Sequence, residues 1–184
     1  MEQNTKRTRA KSVDFSTLVY GKIPPQAKEL EEYIIGAMIM DDMFKVITDV
    51  REILKPEDFY VNAHQIIAKA IYALSEEGAV DIRLLAERLK KEEKLDEVGG
   101  VFAIMQFTNK VNNVTNIKNY CLIVKQKSVQ RNLISFAGTI LEKSYLESED
   151  VFETLHEAEN KLKGINNELA ELKNVPLVDI ASSI

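Results

Sequence analysis

Residues 116–146 read NIKNYCLIVKQKSVQRNLISFAGTILEKSYL, and residues 150–172 read DVFETLHEAENKLKGINNELAEL. The first stretch holds no proline and one glycine, Gly138. At 1.5 Å per residue it makes a helix about 47 Å long. Val129, Leu133, Phe136 and Ile140 recur at spacings of four, three and four. Ile134, Ala137, Leu141 and Tyr145 form a second apolar line, about 100° further round the axis. In the second stretch Val151, Leu155, Ala158, Leu162, Ile165, Leu169 and Leu172 keep a four-three alternation, the pattern of a coiled-coil seam. Between the two, Leu146–Asp150 is short and polar, and Ser148, Glu149 and Asp150 suit the start of a helix. Helices this long with so short a connection must fold back as an antiparallel hairpin.

The second helix of this hairpin carries one stripe, which its partner covers along Val129, Leu133, Phe136 and Ile140. The first helix has more apolar surface than one partner can cover. Burying a large apolar side chain is worth about 1.5–3 kcal/mol. Ile134, Ala137, Leu141 and Tyr145 are therefore expected to contact another chain, making the protein a homo-oligomer.

Upstream, order is expected from Pro24-Pro25, since proline suits a helix's first turn. Ala27, Leu30, Ile34 and Ala37 mark one face of a helix ending near Met40. Gly36 inside it costs about 1 kcal/mol against alanine, which predicts close approach of a neighbouring backbone. Met43, Val46, Ile47, Val50 and Leu54 suggest a short helix before Pro56. Asn62 and Gln65 match a capping box, opening a helix that buries Ile66, Ile67, Ala70, Ile71 and Leu74 and stops at Gly78. Asp81 can cap a helix with Leu85 and Leu89 inward, and Gly99-Gly100 turns the chain into a further helix with Phe102, Met105 and Phe107. Nowhere does period-two alternation occur beside hairpin turn residues. The sequence reads as all-α, with a globular helical head over 24–112 and the antiparallel helical hairpin over 113–172.

Composition bounds the function. The 184 residues are 45% hydrophobic and 29% charged, an ordinary foldable balance. A lone cysteine, Cys121, excludes an internal disulfide framework and a paired-cysteine zinc site. No stretch suits a membrane span and no apolar signal region opens the chain, so a cytoplasmic protein is expected. Residues 1–25 carry Lys6, Arg7, Arg9, Lys11 and Lys22 against Glu2 and Asp14, a net +3 within a chain of net −5. Residues 1–23 read as a disordered basic arm on an acidic body, able to make only weak, salt-sensitive contacts to nucleic acid.

Catalytic, cofactor and metal residues are expected to be absent. GxxxxGK[ST], HExxH, GxSxG and GxGxxG do not occur. His64 lies near Asp58 and Tyr60, a possible acid–base pair, but the favoured reading is a histidine at the third position of its helix, bonded locally. Cys121 reads as a small buried hydrophobe, and His156 and the Glu87–Lys94 run as solvated helix faces.

Taken in order, these segments resemble the N-terminal region of the bacterial replicative DNA helicases, the DnaB family. The likeness runs from about 24 to 172. It is carried by Pro24-Pro25, Glu29, Ile35-Gly36-Ala37-Met38, Leu54, Asp58-Phe59-Tyr60 and His64, and then by Gly78, Asp81 and Leu85. Leu95, Gly99-Gly100, Asn116-Ile117, Tyr120 and Arg131-Asn132-Leu133-Ile134 complete it. Asn112-Asn113-Val114-Thr115 and Phe102-Ala103-Ile104 depart from the family's wording. Residues 173–184 resemble the start of an interdomain linker, in a chain ending before an ATPase domain.

The resemblance implies a collar domain of a hexameric helicase, mediating oligomer assembly and docking of primase and helicase loader during DNA replication. ATP and Mg would belong to the absent ATPase domain, and DNA would be engaged by the full-length assembly. The rival reading is a free-standing helical adaptor, which the codons beyond Ile184 would separate by the presence or absence of a P-loop.

Overall fold

The computed structural model describes residues 22–146 and 150–172, apart from a few side chains near the C-terminal end. Those residues form seven α-helices with no strand among them. They are α1 (Lys28–Ile39), α2 (Lys45–Arg51), α3 (Asn62–Glu77), α4 (Ile82–Lys91), α5 (Gly100–Thr108), α6 (Ile117–Ser144) and α7 (Val151–Leu172). A 3-10 turn, Pro56–Asp58, precedes α3. The basic arm, the Ser148 cap and the linker expected at 173–184 lie outside the described residues.

Helix α1 is the central rod, packed against α2, α3, α5 and α6. It buries every residue from Ile34 to Ile39 as well as Glu31, not the single face that the Ala27–Ala37 spacing predicts. A helix apolar on all sides is one surrounded by others. Gly36 makes this enclosure possible, because a Cβ there would lie 2.2 Å from the Phe107 carbonyl oxygen and 2.8 Å from a Val111 methyl. The close backbone approach inferred from sequence is present, with the end of α5 as the neighbour.

Local signals place the next turns. Gly78 stops α3 with φ of 90°, accepted in the left-handed region without a Cβ penalty. The Asp81 carboxylate accepts the Arg83 and Leu84 amides as an N-cap, and Leu85 and Leu89 are fully buried. The Asn62–Gln65 capping box does not form. Asn62 donates to Glu97 and Gln65 to the Phe59 carbonyl, while Glu31 reaches the start of α3. On α5 the inward residues are Ile104 and Phe107, with Phe102 and Met105 exposed.

Helix α6 belongs to two parts of the molecule. Ile117, Cys121, Leu122 and Val124 join the head's core, so the first turns of α6 pack with the head. Beyond Val129 the helix leaves that core, and α7 folds back antiparallel along it with Lys143 paired to Glu157.

Candidate protein–protein interface

The root of the hairpin is fixed to the head by buried charge. Lys125, on the core-facing side of α6, donates to both oxygens of Asp58 at 3.0 and 2.9 Å. Ser128 donates to the same carboxylate at 2.7 Å, and so does the Lys55 amide at 2.8 Å. One helical turn on, Arg131 donates to the carbonyls of Pro25 (2.9 Å) and Asp58 (2.6 Å) and lies over the Tyr60 ring. Burial lowers the Arg131 pKa, opposed by Glu31 and Asp58.

A second buried carboxylate stands beside it. Glu31 accepts the Tyr60 amide at 2.7 Å and the Val61 amide at 3.3 Å, and pairs with His64 Nδ1 at 2.8 Å. A negative group at the N-terminal end of α3 also meets the positive end of that helix's dipole. These contacts correct the reading of His64. It does stand third in its helix, but its partner is Glu31, 33 residues away, and Asp58 is committed to Lys125 and Ser128. The Phe107 ring meets His64 edge-on at 5.5 Å. The Asp58–His64 acid–base pair is not assembled. Among the described residues no group of His, Cys, Asp or Glu is arranged to hold a metal, and no helix is long and apolar enough to cross a membrane.

Cys121 is fully buried, as the sequence suggests, and burial pushes its thiol pKa up; the half-buried Tyr72 hydroxyl is raised likewise, against a lowering by Arg51. Folded chains thus keep two protons that unfolded chains release above about pH 8.5 and about pH 10. Stability from these groups is complete below those values and falls as pH rises above them. The thermal midpoint should drop between about pH 8 and about pH 11. A flat profile over that range contradicts the burial of both groups.

Outside this anchor the hairpin presents its second line to solvent. Ile134 is 39%, Leu141 45% and Tyr145 81% exposed, with Ala137 exposed beside them. The predicted seam closes at the root, where Val129 and Ile165 are buried, and is half-covered at Phe136, Ile140, Ala158 and Leu169. Leu133 and Leu162 beside the root, and Val151 and Leu155 towards the tip, are exposed, contrary to a continuous coiled-coil seam. The reason is visible in a groove between the helices, where Asn132, Ser135 and Thr139 stand among Phe136 and Ile140 opposite Glu157 and Lys161. Short polar side chains there provide no knobs for α7 to close upon.

Sequence reasoning missed Glu31, Lys125 and the role of Arg131. The signal was available: Glu31 occupies an inward position of α1, and Lys125 follows the apolar run Cys121-Leu122-Ile123-Val124. A charge on an apolar face needs a buried partner.

Comparison with known proteins places this architecture. Residues 23–126 match the model of the DnaB-like helicase N terminal domain. The Geobacillus stearothermophilus replicative DNA helicase DnaB is 34% identical over 152 residues, 82% of this chain and 33% of that protein. The Bacillus subtilis replicative DNA helicase DnaC is 34% identical over 158 residues, 85% of this chain and 34% of that protein. The chain thus spans about a third of these relatives' length. Among solved structures, the N-terminal domain of DnaB helicase from Mycobacterium tuberculosis superposes with a TM-score of 0.71 at 29% identity, covering 77% of this chain and 99% of that one. That superposition shows a shared fold, and with the match over 23–126 it shows that the chain belongs to the DnaB-like helicase N-terminal domain family.

Proposed function

We propose that this chain is the collar domain of a hexameric replicative DNA helicase, joining copies through its hairpin and offering a docking surface to primase and the helicase loader. The observation that carries this reading is the exposed apolar line of Ile134, Leu141 and Tyr145 on a hairpin held to the head by Lys125 and Arg131. A rigid root gives the line a fixed direction, and exposed apolar surface of this kind marks protein interfaces. The relatives are replicative DNA helicases. One solved DnaB-like replicative helicase, alike in fold, is described with its interactions with primase. On this reading ATP hydrolysis and DNA unwinding belong to the rest of the helicase, and the work is done in the cytoplasm.

Leu141→Glu puts a charge in the middle of the line without touching the head. Its circular dichroism should stay that of the parent, while sedimentation shifts towards the single-chain mass of 20.9 kDa. An unchanged assembly state removes the line from the interface.

A further inference from the structure

We propose that Glu159 and Lys163 set the register in which two copies of this chain meet, each pairing with its opposite on the second copy about a two-fold axis that runs across the hairpin. The inference rests on the assembly reading above and adds the orientation of the second copy.

The hairpin has two unlike sides. The groove between Asn132, Ser135 and Thr139 of α6 and Glu157 and Lys161 of α7 occupies one of them. At 100° per residue, and with α7 antiparallel to α6, Leu133, Ala137 and Leu141 fall on the other side together with Phe152, Leu155 and Leu162. All six are exposed, so α7 supplies half of a face that the line on α6 only begins. Within that arc, Glu159 and Lys163 are the only charges between Leu133 and Tyr145 on α6 and between Val151 and Asn166 on α7. Their charged ends stand 3.8 Å apart, four residues along the helix.

A two-fold axis can stack this face on itself in two ways. With the axis along the helices, α7 lies on α6 of the second copy, and Glu159 comes to the level of Leu141 there. A carboxylate set against apolar side chains is costly. With the axis across the helices, α7 lies antiparallel on its own counterpart, and an axis midway between Glu159 and Lys163 sets acid against base twice. That axis crosses α6 near Thr139, which faces Lys161 across the groove. Tyr145 then lies about 9 Å to one side of the axis and Ile134 about 8 Å to the other, so the same rotation brings Tyr145 of each copy onto Ile134 of the other. Apolar and charged contacts agree on this arrangement, and the charges disfavour the first, as flanking charges do when they choose register in coiled coils.

The test uses the full chain and two charge variants, Glu159→Lys and Lys163→Glu. Each alone sets like charges across the axis and should weaken self-association about tenfold. Mixed in equal amounts, with one of them isotopically heavy, they should recover the parent's association constant, and native mass spectrometry should show mixed pairs in excess of random pairing. Lys161→Glu, in the opposite groove, makes the same change in net charge as Lys163→Glu and should leave association at the parent's value. Random pairing of the two variants overturns the proposal. So does an equal loss from Lys161→Glu, which reduces the effect to net charge. The assembly reading fails in a different way, with Leu141→Glu leaving the parent's sedimentation unaltered. A failure confined to register has Leu141→Glu separating the copies while the two charge variants pair at random.

Discussion

Asp58→Ala should destabilise the domain by about 3–5 kcal/mol, the cost of removing one partner from a buried ion pair. Asp58 and Lys125 are 5% and 3% exposed, so water does not replace the lost carboxylate. The variant also strips the acceptor from Ser128 and from the Lys55 amide. An exposed pair such as Arg51–Glu76 would lose only about 0.2–1 kcal/mol on the same treatment. The measurement is the urea midpoint at constant slope. Asp58→Asn combined with Lys125→Met, which removes both charges, should recover much of the loss. A cost near that of the exposed pair would mean that Asp58 does not anchor α6.

Glu31→Ala ranks next, at about 3 kcal/mol, because two partly buried amides and the buried His64 lose their partner and each unsatisfied buried group costs about 1–3 kcal/mol. The two are the amides of Tyr60 and Val61, and His64 loses its partner with them. Glu31→Gln keeps one oxygen to accept and should cost distinctly less. Thermal unfolding of the three chains gives the order parent, Gln, Ala. Equal stability of Gln and Ala variants would show that acceptance by the side-chain oxygen is not what matters at this position.

The two predictions concern residues of different legibility. Asp58 belongs to the Asp-Phe-Tyr stretch on which the family likeness partly rests, yet its partners stand 67 and 70 residues further on. Periodicity reports which face of a helix is apolar and says nothing of which charge from elsewhere will meet it. The elements themselves were readable, since Gly78, Asp81 and Gly99-Gly100 act within a few residues of where they stand. Gly36 was readable for a similar reason: an unfavourable residue in a helix needs a packing explanation, and the Phe107 carbonyl supplies it. The capping box failed because both side chains bond elsewhere, Asn62 to Glu97 and Gln65 to the Phe59 carbonyl. For the hairpin, the four-three spacing fixed which residues of α7 share a face. Whether that face is covered depended on Ser135 and Thr139 across the groove, which spacing alone does not weigh.

The role given to Ile134, Leu141 and Tyr145 has a direct rival on the molecule, the exposed Phe102 and Met105 of α5. Intermolecular nuclear Overhauser effects between differently labelled copies separate the two surfaces at the atoms concerned. Contacts across chains to the methyls of Ile134 and Leu141 are the expected result. Associated chains whose cross-chain contacts fall on Phe102 and Met105, with those two methyls silent, would contradict the hairpin as the surface through which copies meet.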